Sequence, residues 1–423
     1  MEIFVMNYKY DIVIAGAGPA GIAAALEASR TGSRVALIER YGIVGGNLTS
    51  GYVGPVLGSV CKGTIASEIR ERVCPQNSDC PDFEKAKYEL AVMLYEENID
   101  VFLQTLVTGA KVTDGVIEYI EAFGKSGKML FEANIFIDAT GDGDLAVSCG
   151  CEYEIGRESD ALVQPVSIMF TITGIDPEQK LLCRHEEDYT VLSDGREYLD
   201  LCHKSSKNGV LPENVNIVRL YATGNPRERM VNATQRNRVN PLDPKELFAS
   251  EVDVRGQIMK ITAFLKSEVP GFENITVKSS ATTMGVRESR RIIGDYVLTA
   301  DDLMNGREYP DSIVHKAHFS LDIHNPDGAG QSVSEVACPP TPKPYDIPYR
   351  AIIPAGIQNM LIAGRCISGT HEAMSSYRVM TIAMAIGQAA GAAASLASSR
   401  SIRPRMLDAG LIREHLIMRG VEL

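Results

Sequence analysis

Tyr10-Asp11-Ile12-Val13-Ile14-Ala15-Gly16-Ala17-Gly18-Pro19-Ala20-Gly21 passes from a short apolar, β-branched run straight into a glycine-rich turn. The first half has the character of a buried parallel strand, and the Ala-rich segment that follows, IAAALEASRTG, suits a helix stopped by Gly32. A second strand, Arg34-Val35-Ala36-Leu37-Ile38-Glu39, then places an acid 18 residues after Gly21. Each glycine answers a separate steric demand. Gly16 makes the tight turn, Gly18 lets backbone approach a pyrophosphate, and Gly21 lets the helix pack closely. The helix start offers free N–H groups and partial positive charge to phosphates, and Glu39 is placed to accept from ribose hydroxyls. This spacing predicts a dinucleotide-binding βαβ unit whose contacts run through Gly16, Ala17, Gly18, Pro19, Ala20, Gly21, Glu39 and Arg40.

Downstream the polar loop Gly45-Gly46-Asn47-Leu48-Thr49-Ser50-Gly51 would lie beyond the strand ends, where a long cofactor must run. It resembles the loop of the two-dinucleotide-binding-domain flavoproteins, in which a glycine doublet follows the acid; Gly45, Gly46 and Ser50 match, while Ile43 and Asn47 stand where that pattern has arginines. Residues 84–98 read as a helix, 101–103 as a third parallel strand, and 106–123 as a hairpin turning at Asp114-Gly115. The strand Asn134–Ile137 runs into Asp138-Ala139-Thr140-Gly141-Asp142-Gly143-Asp144. An Ala-Thr-Gly turn of this kind is similar to the one that brings backbone against the cofactor in FAD domains.

Residues 359–365 predict another strand, followed by the loop CISGTHEAMSSYR and a small-residue helix beginning near Arg378. Together with GVRESRRIIGDYVLTADDL (285–303), Asp322-Ile323-His324 and IPYRAIIP (347–354), this carboxy-terminal run resembles the family of FAD-dependent oxidoreductases, over residues 10–60, 130–175 and 280–400. The resemblance implies FAD and an α/β fold: a Rossmann-like FAD-binding domain, a parallel sheet with a β-meander, carrying an inserted α+β cap. It further implies cofactor contacts at Gly45, Gly46, Asn47, Ser50, Val107, Ala139, Thr140, Gly141, Asp142, Gly364, Arg365, Arg378 and Val379. It does not carry a substrate. The expected divisions are 1–151 and 281–423 for the two parts of the FAD domain and 152–280 for the cap. Within the cap, 166–173 and 216–221 read as strands. Asp243-Pro244 with Glu246 starts a helix whose buried face would be Leu247, Val254, Ile258, Ile261 and Leu265.

With 423 residues there is room for two to three domains. Forty-two basic against 54 acidic residues leave a net charge of −12, which argues against nonspecific binding to nucleic acid or anionic membranes. Nine cysteines with no CxxC exclude a zinc ribbon or a disulfide framework and suit a reducing compartment. No basic region followed by an apolar run and a cleavage site opens the chain, so a cytoplasmic location is expected. Residues 379–397 are uncharged over 19 positions but rich in Ala and Gly, which fits a helix packed under a sheet better than a membrane span.

Chemistry at a flavin needs orientation, proton handling and charge complementarity from the protein. His371, in the loop before the last helix, is a candidate proton carrier, or else a hydrogen-bonding neighbour of the flavin. Arg287, Arg290 and Arg291 would share one helix face and either clamp an anion or join domains. Asp322 and His324 alternate along an extended segment and point to a substrate site; a metal is not expected, for want of a third ligand. Tyr377 and Arg378 border the last helix, and Cys366 reads as packing. The leading expectation is an enzyme moving a hydride between a small organic substrate and flavin N5, with His371, Arg287 and His324 as its catalytic residues. A flavin monooxygenase, an FAD-binding protein of RNA modification, and a flavin subunit served by an electron-transfer partner stay open, as does homo-oligomerisation.

Overall fold

The computed structural model describes residues 5–76, 78–185, 187–330 and 341–423; Cys338 lies outside them. Strand β1 (Val5–Ala15) buries Ile12 to Ala15 completely and pairs in parallel with β2 (Val35–Ile38), which in turn pairs in parallel with β3 (Asp100–Phe102). Between β1 and β2 runs α1 (Pro19–Arg30), and between β2 and β3 come α2 (Ile65–Val73) and α3 (Phe83–Glu96), the latter capped by Asp82 through the N–H groups of Glu84 and Lys85. Three antiparallel strands follow: β4 (Leu106–Thr113), β5 (Val116–Gly124) and β6 (Gly127–Asp138). Asp114 and Gly115 both take positive φ at the first of these turns, as a tight hairpin requires.

Strand β6 is longer than its apolar stretch 134–137 suggests, because nearly its whole length pairs in parallel with β1 while its first part also closes the meander. Residues 128–138 pair with β1 along its length. On the other side, β6 meets β5 at residues 127–131.

A short helix α4 (Asp144–Ser148) and strand β7 (Tyr153–Ile155) lead to a second sheet. Its strands β8 (Phe170–Thr173), β9 (Arg219–Ala222), β10 (Glu228–Asn232) and β11 (Thr276–Ser280) are antiparallel in the order β11-β8-β10-β9. Helices α5 (Tyr198–Lys207) and α6 (Pro244–Glu268) accompany it, with Asp243 capping α6 through the N–H groups of Lys245 and Glu246. Val254, Ile258, Ile261 and Leu265 of α6 are buried as the periodicity predicts. Leu247 is not, and lines a cleft instead. The core of this sheet also takes in Tyr52, Cys80 and Phe83 from the first part of the chain, with Tyr52 stacked on Phe83 at 4.1 Å.

The segment from Gly285 to Ile292 corrects the helical reading. Gly285 bridges to Ser167, and Arg290–Ile292 forms β12 antiparallel to β7, so the backbone groups a helix would use are committed to strand partners. Tertiary pairing thus overrides local propensity, and the three arginines do not share one helical face. After α7 (Ala300–Asn305) come the paired strands β13 (Ser312–Ala317) and β14 (Tyr345–Pro348). Strand β15 (Met360–Ile362) then returns to the main sheet in parallel beside residues 136–138 of β6.

The carboxy-terminal helices are α8 (His371–Tyr377), α9 (Met380–Ser399) and α10 (Ala409–Met418). By length and composition α9 could cross a membrane, yet it is buried along nearly its whole length. Its small residues have a packing reason: a Cβ on Gly387 would lie 2.0 Å from the carbonyl oxygen of Ala20, and one on Gly391 2.3 Å from that of Ala24. The backbones of α9 and α1 touch, and any larger residue would force them apart.

Candidate active site

The glycine turn closes against the turn after β6. Gly16 has φ +95°, and a Cβ there would stand 2.5 Å from the carbonyl oxygen of Ala139. Gly21 presses on the same loop, its notional Cβ 1.9 Å from the oxygen of Gly16. Gly18 differs: a Cβ there meets no protein atom within 4 Å and would project into open cleft. As N-cap of α1 it leaves the first-turn N–H groups without a side-chain partner, and Pro19 follows as N1. A cradle of bare backbone with partial positive charge is what a pyrophosphate requires.

The cleft, about 380 Å³, is lined by Gly16, Gly18, Pro19, Ala20, Glu39, Arg40, Gly46, Asn47 and Ser50 on one side. Val107, Ala139, Thr140, Gly141, Asp142, Gly364, Arg365 and Arg378 line the other. Four expected contacts stand behind its wall instead. Ala17 spends its N–H on Glu39 Oε2 at 2.8 Å, and Gly21 faces Gly16. Gly45, at φ +108°, donates to the Ala17 carbonyl at 2.8 Å, and Val379 is the buried N-cap of α9. They shape the loop rather than border the cleft.

Glu39 is itself a tie. Its carboxylate accepts from Ala17 N and from Tyr41 N, both at 2.8 Å, while burial pushes its carboxyl above the usual range. Asp138, fully buried, holds the second turn by accepting from Thr140 N at 3.0 Å, Thr140 Oγ1 at 2.7 Å and Ala146 N at 2.8 Å. Asp142 sits among cations. Arg365 donates to it and to the carbonyl of Gly141 at 2.6 Å, Ser289 Oγ donates at 2.6 Å, and Arg40 stands at 3.6 Å. Burial opposes the charge on Asp142, but Arg365, Ser289, Arg40 and Arg290 together hold its carboxyl below the ordinary value.

Beyond Arg365 the cleft continues to Thr283, Met284, Val286, Pro241 and Leu247, from the segment after β11 and from α6 and the turn before it. The sequence singles out none of these as a site residue; it reads Leu247 as part of a helix face and leaves Val286 within the stretch 285–303. The nearest signal was that Thr283 and Met284 directly precede the stretch 285–303. Arg378 borders this end and reaches into a group of polar side chains behind it. Its guanidinium donates to the Asp322 carbonyl at 2.9 Å, to Asp322 Oδ2 at 3.2 Å and to Gln164 Oε1 at 3.3 Å. His324 Nε2 lies 3.5 Å from the same Asp322 oxygen, so the alternation along 322–324 does bring the two groups together. Burial, then Arg287, pull His324 down to about 3, so its imidazole is neutral near pH 7.

His371 is not in a loop but opens α8, after the Thr370 N-cap, because Thr370 satisfies the N–H of Ala373 and starts the helix early. It does not line the cleft. Its Nδ1 is 2.8 Å from Glu288 Oε1, and its buried Nε2 has no partner. Glu288 also accepts from Arg291 Nη1 at 2.6 Å and from Gln164 N at 3.1 Å. A carboxylate only accepts, so His371 Nδ1 is the donor of this bond. Arg287 donates to the Pro165 carbonyl at 2.6 Å, whereas Arg290 turns away to Asp142 and Asp144. Tyr377 is packed, its hydroxyl on the Ile367 carbonyl at 3.0 Å, and Cys366 is buried against Ala363. Among the described residues no group of three or more His, Cys, Asp or Glu is arranged to hold a metal.

The model of one protein family, FAD dependent oxidoreductase, matches residues 11–416. Among curated proteins, the soluble pyridine nucleotide transhydrogenase of Hahella chejuensis is 57% identical over 43 residues, 10% of this chain and 9% of that protein. The same enzyme of Pseudomonas aeruginosa (strain LESB58) is 50% identical over 68 residues, 16% of this chain and 14% of that protein. The chain thus aligns with only a small part of these relatives. Among solved structures, p-nitrophenol 4-monooxygenase PnpA from Pseudomonas putida DLL-E4 superposes with a TM-score of 0.50 at 11% identity, covering 98% of this chain and 85% of that one. The myxobacterial chondrochloren halogenase CndH gives 0.50 at 11% identity, covering 96% and 78%. Likeness at this identity speaks for the fold.

Proposed function

The chain belongs to the FAD-dependent oxidoreductase family and takes FAD as its cofactor, and from that premise we propose that it moves a hydride between a small organic substrate and N5 of the flavin. The observation that carries this reading is the single cleft that runs from the glycine cradle past Gly364 and Arg365 to Met284, Leu247 and Arg378. It offers a dinucleotide site and a second reactant site end to end, with the second roofed by α6. FAD supplies the two-electron chemistry when bound. The residues of the chain supply the rest. Arg40, Arg290 and Arg365 gathered about Asp142 and Asp144 make a rigid charged wall beside the cofactor. Glu288, locked to Arg291, orients His371 so that Nε2 holds or accepts the proton that leaves the substrate as the hydride departs. Gln164 links Arg378 of the cleft to Glu288, tying the proton site to the substrate end. His324, neutral and close to Asp322, serves as a fixed hydrogen-bonding group rather than as the base.

The test begins with the visible spectrum of the purified protein and identification of the flavin released by acid. A panel of small alcohols, amines and acids is then screened without oxygen for bleaching of the flavin band. Bleaching by an organic substrate alone supports hydride transfer; flavin reduction that requires NAD(P)H and product that requires oxygen would replace it with a monooxygenase.

A further inference from the structure

The chamber behind Arg378 has more positive charge than its own acids balance. Arg287 and Arg378 both act on Asp322, and the nearby Glu288 is engaged by Arg291. These two guanidinium groups share one carboxylate, Asp322, which leaves an excess of one positive charge among them in a place walled by protein.

Arg287 is the clearest case. Among the described residues its one hydrogen bond goes to the Pro165 carbonyl, although a guanidinium has five N–H donors. Burial and the neighbouring Arg378 both disfavour its charge. Yet Arg287, Arg378 and Asp322 keep part of their surface accessible, so they border space rather than packed atoms. Three further polar atoms are buried without partners: Gln164 Nε2, Arg378 Nε and His371 Nε2. Two of these are obligatory donors, and a buried donor left unmade costs about 1–3 kcal/mol, so a structure retains such groups where something else engages them.

We propose that this chamber binds the carboxylate of a small organic acid between Arg287 and Arg378, with the Gln164 amide as an additional donor. The inference rests on the functional reading above and names its substrate class. An anion there neutralises the excess charge and gives the idle donors an acceptor. A carboxylate suits the chemistry better than a phosphate ester, because its adjoining carbon arrives with it, within one bond of the anchor, where a hydride is exchanged. A phosphate ester interposes an oxygen.

The experiment uses the FAD-loaded protein and titrates acetate, lactate, succinate and benzoate, each against its own amide, with inorganic phosphate as a separate arm. Binding is read as a flavin difference spectrum and as a shift in Tm. At least one acid is expected to bind tenfold or more tightly than its amide and more tightly than phosphate. Arg287→Gln is expected to erase that preference while FAD stays bound, and Arg287→Lys to restore part of it. Amides that match all four acids, or phosphate that matches or exceeds them, overturn the proposal. If Arg287→Gln does not fold, the comparison of acids with amides in the unaltered protein decides alone. A protein that takes no FAD would defeat the functional reading instead, and the Tm arm would still read the carboxylate preference.

Discussion

The glycine cradle and the polar chamber behind Arg378 are built on opposite principles. The cradle is backbone: its shape depends on where side chains are missing, and its residues at 16–21 and 139–141 are close in sequence within each turn. The chamber is side chain: Gln164, Arg287, His324, His371 and Arg378 come from separated segments and meet only after two sheets have packed. A site made of backbone tolerates almost no added atom, whereas a site made of buried charges tolerates almost no lost one.

The largest effect should come from Gly21→Val, which forces a side chain onto the Gly16 carbonyl 1.9 Å from the notional Cβ. Little folded protein should be recovered, as judged by soluble yield and circular dichroism. Glu288→Ala attacks the chamber in the complementary way, leaving Arg291 buried and without its partner at 2.6 Å. A loss of about 3–5 kcal/mol in denaturant unfolding is expected. A loss under about 1 kcal/mol would mean the pair is not structurally committed.

Next in size, His371→Ala should keep FAD and slow flavin reduction by about 10²–10⁴-fold, the range for a lost proton carrier. Release of the flavin instead would move His371 into the cofactor shell and blur the contrast. Gly18→Val sharpens it, since its side chain meets no protein atom. The apoprotein should fold normally while FAD binding weakens about a hundredfold, on the order of 3 kcal/mol. Full flavin occupancy in this variant would break the backbone reading of the cradle.

The smallest effect concerns pH. Burial, followed by Arg287, lowers His324 from 6.5 to about 3, so between these values the unfolded chain binds a proton that the folded chain refuses. Stability should therefore fall as pH drops through that window, by on the order of 2 kcal/mol at pH 5 relative to neutrality. Chemical denaturation at pH 7 and pH 5 measures the difference, and His324→Asn should narrow it. An unchanged gap in that variant would assign the acid sensitivity to other groups.

Much of the cradle was legible beforehand because its rule is local. A tight turn, a close approach and a helix start each demand glycine at a fixed spacing, and Gly16, Gly18 and Gly21 occupy those positions whatever the rest of the chain does. The same holds for the Asp114-Gly115 hairpin and the Asp243 cap of α6. What could not be read locally is which way a residue turns once its neighbours are in place. Arg287, Arg290 and Arg291 look like one helical face in sequence, but pairing with β7 and the bridge to Ser167 make the segment extended and send the three to different partners. Ala17 and Glu39 both belong to the fingerprint, yet they satisfy each other across 22 positions. Local sterics and backbone conformation are written into consecutive residues, so the amino-acid order alone specified the strand, turn and helix that make the cradle. The chamber's charge balance is a sum over groups up to hundreds of residues apart, with strengths set by burial, and it came into being only when the second sheet closed over the first.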